Sequence, residues 1–126
     1  MQEFEKPHRN WIQKFRDAFR GAASGVRRQD SFLVHLAFAG FVILLASLLR
    51  LGSIEWCLLI LCIFTVLTAE MFNSALETLA RAIDSRFNPH LAEGLNIASA
   101  AVLLSAMGAV VVGLLVFGCR LVERLQ

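Results

Sequence analysis

Three long apolar stretches constrain the fold of this chain more than any other feature. They run from residue 32 to 49, from 54 to about 83 and from 97 to 117. A membrane-spanning helix needs about 20 mostly apolar residues, and each stretch can supply them. A soluble bundle of very apolar helices is the alternative, but the segment AVLLSAMGAVVVGLLVFG has no polar face to turn toward water. Because 57% of the 126 residues are hydrophobic, we predict an all-α membrane protein.

The three stretches leave no room for a separate soluble domain. We predict an N-terminal surface helix over 1–30, a single membrane domain over 31–120 and a C-terminal tail over 121–126. Within the domain, the spans cover about 32–50, 54–83 and 95–118, and the second connecting loop covers 84–93. The first 30 residues are charged throughout, which is unlike a secretory signal. Any chemistry must therefore come from the spans, the N-terminal segment and that loop.

The basic residues predict how the spans are oriented, because cytoplasmic segments collect Lys and Arg. Seven basic residues precede the first span: Lys6, Arg9, Lys14, Arg16, Arg20, Arg27 and Arg28. The first connection has Arg50, the second has Arg81 and Arg86, and the C-terminal end has Arg120 and Arg124. We therefore expect the N-terminus and the second connection in the cytoplasm, and the first connection and the C-terminus outside.

The N-terminal segment has the pattern of a basic amphipathic helix. Trp11, Phe15, Phe19 and Ala22 recur every three or four residues, and basic residues fall elsewhere around the helix. Such a helix can lie on an anionic bilayer surface, or it can pack on the spans of a neighbouring subunit. We interpret the following stretch, FRGAASG, as the end of this helix. Nucleic-acid binding is disfavoured for a basic helix that precedes three spans.

A stripe of small residues follows one face of the third span. Ala101, Ser105, Ala109 and Gly113 are spaced by four, which allows helices to approach closely in lipid. Three spans alone enclose little interior. The sequence therefore favours an oligomer.

Two carboxylates stand in the second apolar stretch. Glu70 and Glu77 are seven residues apart, so on a helix they share a face about 10 Å apart along the axis, with Asn73 one turn from each. With the second connection inside, Glu77 is near the cytoplasmic interface and Glu70 is deeper. A charged acid at mid-bilayer costs about 2.5 kcal/mol or more. A purely structural alternative makes Glu77 a solvated helix end and Glu70 a neutral acid bonded to a neighbouring helix.

This arrangement suits one kind of chemistry. A deep, partly desolvated carboxylate at Glu70 can serve as a general base. An ionised Glu77 near the aqueous side can hold Mg²⁺ through oxygen, and Asn73 can orient either partner. A base at lipid depth and a metal at nucleotide depth indicate phosphoryl transfer from a soluble donor to a lipid hydroxyl, a reaction that depends mainly on positioning and charge neutralisation.

Four stretches, in the same order, resemble the bacterial diacylglycerol kinase family, which includes undecaprenol kinases. AEMFNSALE, residues 69–77, is similar to the family signature E-x-x-N-[ST]-A-x-E on the second span. KFRDAFRG (14–21) resembles the N-terminal surface helix, SFLVHL (31–36) the start of the first span, and ASAAVLL (98–104) the start of the third. The resemblance implies a homotrimer in the bacterial inner membrane, with ATP, Mg²⁺, a lipid acceptor and active sites shared between neighbouring subunits at the cytoplasmic interface.

The resemblance also implies roles for single residues. Carried over by position, Glu70 is the general base, Asn73 belongs to the catalytic centre and Glu77 is a metal ligand. At family positions, the further candidates are Gln29 as a second metal ligand and Asn96 for the nucleotide. Independently of the resemblance, the nearby cations Arg81 and Arg86 are candidates to bind phosphate. Ser99 and His35 are candidates for the lipid substrate, with helix packing as an equal alternative for His35.

Four positions depart from the family pattern, and all lie on the metal and nucleotide side. Gln29 stands where the family has a metal-binding Glu, and Arg81 where it usually has Asp. Leu95 and Asn96 replace a Lys-Asp pair that handles the nucleotide. No P-loop or kinase-type glycine-rich loop is present in the sequence to substitute for them.

The sequence therefore supports an ATP-dependent lipid kinase acting on diacylglycerol or undecaprenol. A second hypothesis is a non-enzymatic lipid-binding or regulatory membrane protein on the same fold, which the departures at Gln29, Arg81 and Leu95 favour. A third, an ion or proton conductor using Glu70, is disfavoured because helices packed through small residues leave little pore.

Overall fold

The computed structural model of the chain describes residues 10–28, 30–83 and 86–126, and nearly all of them are α-helical. The four helices are α1 (Trp11–Arg28), α2 (Asp30–Leu48), α3 (Ser53–Ile83) and α4 (Pro89–Leu125). Helices α2, α3 and α4 are long and apolar enough to cross a membrane. No β-strand occurs within the described ranges. The prediction of an all-α protein with three apolar spans is confirmed.

The most extensive helix–helix packing joins α3 and α4. On α3, Leu59, Val66, Asn73 and Ala80 are all buried, and they are seven residues apart. A seven-residue repeat keeps one side of a helix turned toward a partner. Leu59 and Val66, which lie nearest the first connection, are apolar. Asn73 places a polar group in the same seam, by which we mean the contact between α3 and α4. Asn73 is therefore the one polar member of this series, between Val66 and Ala80.

Two contacts fix the register of this pair. The Ser99 hydroxyl lies 3.5 Å from Asn73 Oδ1, and Val116 shares an apolar cluster with Leu59. Residue numbers therefore rise along α4 as they fall along α3, so the two helices are antiparallel. This register places Val102 level with Glu70, and Leu95 and Asn96 level with Glu77.

The C-terminus of α2 is closed by a Schellman motif. Leu51 N–H donates to the Ala46 carbonyl and Arg50 N–H to the Ser47 carbonyl, at 3.2 Å each. Arg50 has φ of 51°, the left-handed conformation that this motif requires. Helix α3 follows at once, and its Glu55 carboxylate accepts a hydrogen bond from Gly52 N–H. The connection between α2 and α3 is therefore a tight turn whose backbone is held by these hydrogen bonds.

Two arginines of α4 bind the carbonyls that end α2. Arg120 donates to the Leu49 carbonyl at 3.3 Å and to the Arg50 carbonyl at 2.7 Å. Arg124 donates to Leu49 at 2.8 Å. The first connection and the end of α4 consequently lie at the same end of the helix bundle.

Helix α4 begins earlier than the sequence interpretation placed it. The side chain of Asn88 accepts hydrogen bonds from the backbone N–H groups of His90 and Leu91, and Pro89 occupies the first helical turn. An Asn N-cap followed by Pro is a strong helix start. The expectation of a loop through residue 93 is wrong, because residues 89–93 belong to the helix.

Helix α1 lies within the segment predicted as a surface helix but continues past FRGAASG. It begins after Asn10, whose side chain accepts from Gln13 N–H at 2.9 Å while Gln13 Oε1 accepts from Asn10 N–H at 3.1 Å. It then continues through Gly21 and Gly25 to Arg28, so the interpretation of FRGAASG as the helix end is wrong. A Cβ added to Gly25 would lie 2.6 Å from Met71 Sδ. The absent side chain lets α1 approach α3 closely.

Candidate active site

Three polar residues of α3 are buried among apolar neighbours. The exposed fractions are 2% for Glu70, 7% for Asn73 and 8% for Ser74. Small or apolar residues of α4 face this part of the seam, with Ala98 and Val102 both buried. Burying a carboxyl group is costly in protein and in lipid alike. Glu70 is therefore a candidate functional residue on physical grounds, as its position in the sequence predicted.

A chain of side-chain contacts links α4 to the end of α3. Ser99 Oγ lies 3.5 Å from Asn73 Oδ1, and Asn73 Nδ2 donates to Glu77 Oε1 at 3.2 Å. Arg81 donates to the other carboxylate oxygen, Glu77 Oε2, at 3.3 Å. We refer to Ser99, Asn73, Glu77 and Arg81 as the Glu77 cluster. The structure thus brings four of the predicted site residues together.

Glu70 lies one turn from Asn73, on the side away from the C-terminal end of α3. The helix rise places it about 10 Å along the axis from Glu77. Glu77 keeps a side chain that is 27% exposed, whereas Glu70 is almost fully enclosed. The two carboxylates therefore share a helix but differ in environment, one enclosed and one reached by water.

An open groove of about 560 Å³ borders the Glu77 cluster. Its α1 side has Gly21, Ser24 and Gly25. Its α3 side has Ser74, Thr78, Glu77 and Arg81, among others. The groove is thus walled by small, hydroxyl-bearing and apolar residues, Met71 and Leu79 among them, next to one carboxylate and one guanidinium.

The sequence interpretation missed the residues that shape this groove. Ser74 Oγ donates to the Glu70 carbonyl and Thr78 Oγ1 to the Ser74 carbonyl, both at 2.9 Å. Such bonds to the carbonyl four residues earlier are common for hydroxyls inside helices and leave little trace in a sequence. The available signal was the spacing of Gly21 and Gly25 by four, which indicates a face of α1 that another helix approaches.

The remaining predicted residues have separate positions. Gln29 falls outside the described residues. Arg86 lies in the bend after α3 and is exposed, as is Asn96 on α4. His35 is half-buried on α2. Asn96 lies one turn before Ser99 on α4. Among these residues, it is the one at the same height along the α3/α4 pair as Glu77.

The side chains present fit a metal ion that is held together with a phosphate ligand. Mg²⁺ is usually bound through one or two carboxylates plus substrate phosphates and water. Glu77 offers one carboxylate, whereas the Asn73 amide turns its NH2 group toward Glu77 and its oxygen toward Ser99. The described ranges contain no group of three His, Cys, Asp or Glu side chains that could hold an ion. Phosphate oxygens would therefore have to complete the coordination.

Comparisons with known proteins agree with this arrangement. The family model of prokaryotic diacylglycerol kinase matches residues 16–117. An undecaprenol kinase from Bacillus subtilis is 30% identical over 116 residues, which cover 89% of this chain and 94% of that protein. A diacylglycerol kinase from Synechocystis sp. is 34% identical over 117 residues, which cover 92% of this chain and 65% of that protein. No solved structure matches the chain significantly.

The matched residues include α2, α3 and the part of α4 up to Phe117, together with most of α1. The Glu77 cluster, Glu70 and the groove all fall inside them. On the extent of this match and of the two relatives, the chain is a member of the prokaryotic diacylglycerol kinase family.

Proposed function

We propose that this multi-pass membrane protein is an ATP-dependent kinase that phosphorylates the hydroxyl group of a membrane lipid, either a diacylglycerol or an undecaprenol. The observation that carries the proposal is the pair of carboxylates in different environments, with Glu70 almost fully buried and Glu77 at the open groove. The names of both relatives support the same reaction class.

Glu70 is the group that handles the proton in this proposal. Its carboxylate takes the proton of the lipid hydroxyl as the lipid oxygen forms a bond to the γ-phosphorus of ATP. The bond between that phosphorus and the bridging oxygen breaks, and ADP leaves with the electron pair. Asn73 positions the reacting groups, since it is hydrogen-bonded toward both α4 and Glu77. General-base catalysis of this kind contributes about 10²- to 10⁴-fold to the rate.

Glu77 and the groove form the nucleotide side. Glu77 would hold Mg²⁺, which when bound neutralises charge on the phosphates. Arg81 lines the same groove and is a candidate phosphate ligand, with Arg86 and Asn96 as further candidates near the second connection. Ser99 and His35 are assigned to the lipid side, and Gln29 to a second metal contact.

The protein acts as a homotrimer in the bacterial inner membrane, with its N-terminus in the cytoplasm. The surface helix is α1, and residues 31–120 form the membrane domain. The predicted tail is helical as far as Leu125, where α4 ends. In support, Trp11, Ile12, Phe15 and Phe19 of α1 are all largely exposed, as expected of an amphipathic helix that meets lipid or a neighbouring subunit. The single chain also leaves most of its apolar span surface uncovered.

The test is transfer of labelled γ-phosphate from ATP in lipid–detergent micelles containing Mg²⁺. Diacylglycerol and undecaprenol are offered separately to the purified full-length protein. Labelled lipid supports the kinase and identifies the acceptor. Folded, assembled protein that labels neither lipid would overturn the proposal in favour of the non-enzymatic alternative, which the substitution of Arg81 for the usual Asp makes the natural runner-up.

A further inference from the structure

Arg81 and Asn73 occupy both oxygens of the Glu77 carboxylate. Asn73 Nδ2 donates to Oε1 at 3.2 Å, and the Arg81 guanidinium lies 3.3 Å from Oε2. The two partners lie one helical turn on either side of Glu77. The carboxylate that the proposed function assigns to the metal is thus already neutralised by a residue of its own helix.

The Arg81 side chain is only loosely held in this position. It is 76% exposed, and an exposed ion pair between residues four apart on a helix is weak and is screened by salt. A guanidinium binds phosphate more strongly, through two parallel hydrogen bonds. Arg81 also lines the groove beside Glu77. Nucleotide phosphates that enter the groove can therefore draw Arg81 away from the carboxylate.

The same charge opposes metal binding when no phosphate is present. A divalent cation that approaches Glu77 must displace the guanidinium and then remain close to its positive charge. At distances near 4 Å this repulsion is appreciable even in water. With Asp at this position, as is usual in the family pattern, a second carboxylate would instead attract the ion. Arg81 therefore reverses the sign of the local contribution to metal affinity.

We propose that Arg81 is a built-in counterion of Glu77, which keeps free divalent metal off this carboxylate and leaves it for metal that arrives with nucleotide phosphates. The proposal rests on the proposed function, because it takes Glu77 as the metal ligand. Under this proposal, Arg81 determines whether Glu77 binds the free metal ion or only metal that is already bound to nucleotide phosphates. The described contacts of Glu77 on both carboxylate oxygens carry it.

The test measures binding of Mn²⁺, a spectroscopic substitute for Mg²⁺, to purified full-length protein in lipid–detergent micelles without nucleotide. Electron paramagnetic resonance reports the free Mn²⁺ directly. We expect weak binding by the wild type and about tenfold tighter binding by Arg81→Gln. Arg81→Lys keeps the charge and should bind as weakly as the wild type.

Two further variants make the result specific. Arg20→Gln removes an exposed arginine of α1 and should leave Mn²⁺ affinity unchanged. In the double variant Glu77→Gln/Arg81→Gln the gain should disappear, because the tighter binding depends on the Glu77 carboxylate. Equal Mn²⁺ affinity of the wild type and Arg81→Gln, or a gain that survives in the double variant, would overturn the proposal.

A second measurement separates this inference from the proposed function. Thermal stabilisation of the wild type by the preformed complex of Mn²⁺ with a non-hydrolysable ATP analogue reports on the nucleotide site itself. Stabilisation together with equal Mn²⁺ affinities means that the site binds nucleotide but Arg81 does not control the metal. No stabilisation contradicts the proposed function, and the inference about Arg81 falls with it.

Discussion

Glu70 and Glu77 have the same side chain and stand on the same helix, yet their surroundings differ, and the proposed function gives them different tasks. Glu70 is 2% exposed and is level with apolar Val102 across the seam. Glu77 borders an open groove and contacts a guanidinium. At the residue scale, the proposed division of tasks rests on this difference in burial, and Asn73 connects the Glu77 end of the pair to α4.

The long contact between Ser99 and Asn73 leads to a prediction about catalysis. Ser99→Ala should lower kcat about two- to fivefold, because a single neutral hydrogen bond contributes about 0.5–1 kcal/mol and this one orients Asn73. Steady-state transfer of labelled phosphate measures the change. Ser105→Ala is the matched control, since the Ser105 hydroxyl donates to Ala101 of its own helix and its loss should not alter kcat. A Ser99→Ala variant that is as active as Ser105→Ala would remove Ser99 from the site.

The spacing of Glu70, Asn73 and Glu77 was sufficient to predict that they share one face of a helix. The pairing of Glu77 with Arg81 was not predicted, because a family pattern says what usually stands at a position and not what an unusual residue does there. Ser74 and Thr78 escaped notice for another reason. Hydroxyls that donate to a carbonyl of their own helix have no distinctive sequence pattern, so their position beside the groove is known only from the structure.

At the scale of helices, the approach of α1 to α3 depends on one glycine. Gly25→Ala places a Cβ against Met71, whereas Gly21 has no atom within 4 Å of an added Cβ. Gly21→Ala should stabilise the protein by up to about 1 kcal/mol through helix propensity. Gly25→Ala should lose that gain because Met71 must move.

Thermal unfolding of both variants in the same detergent tests this. The stability of Gly25→Ala should recover in part when Met71→Ala is added. Equal stabilisation by the two glycine substitutions would mean that α1 does not pack on α3 at this point.

The arginines that bind the end of α2 give a second prediction for the helices. Arg120→Gln should lower the free energy of unfolding by about 1–2 kcal/mol, since hydrogen bonds from a charged donor to two carbonyls are lost. Glu123→Gln, which removes only the exposed partner of Arg120, should change stability by less than half as much. Thermal melting measures both. Phosphate transfer at low temperature should be unaffected in either variant, because this end of the bundle is opposite to the Glu77 cluster.

Helix starts show where sequence reasoning was incomplete. Asn88 followed by Pro89 is a recognisable capping signal, but the apolar stretch that marked the third span begins only at residue 97. Hydropathy detects the residues that lipid covers, whereas a capping motif marks the residue at which the helix begins. The polar first turns of α4 therefore fell outside the prediction, although a capping criterion was available.

At the scale of the whole molecule, the structure relates the ends of the helices to one another, and the basic residues predict which end faces the cytoplasm. In a variant without Cys57, Cys62 and Cys119, a single cysteine at Gln126 should react with a membrane-impermeant thiol reagent added to cells with a permeable outer envelope. A single cysteine at Phe87, which is 86% exposed, should react only after the membrane that holds the protein is opened. The reverse labelling pattern would invert the proposed orientation.

The most direct test of the account compares Glu70→Gln with Glu77→Gln in two measurements on one preparation. Glu70→Gln should lower kcat for lipid phosphorylation by about 10²- to 10⁴-fold while thermal stabilisation by Mg-ATP is kept. Glu77→Gln should lose that stabilisation as well as activity. Phosphate transfer by Glu70→Gln at more than a tenth of the wild-type rate would contradict the assignment of Glu70 as the base, and with it the central claim.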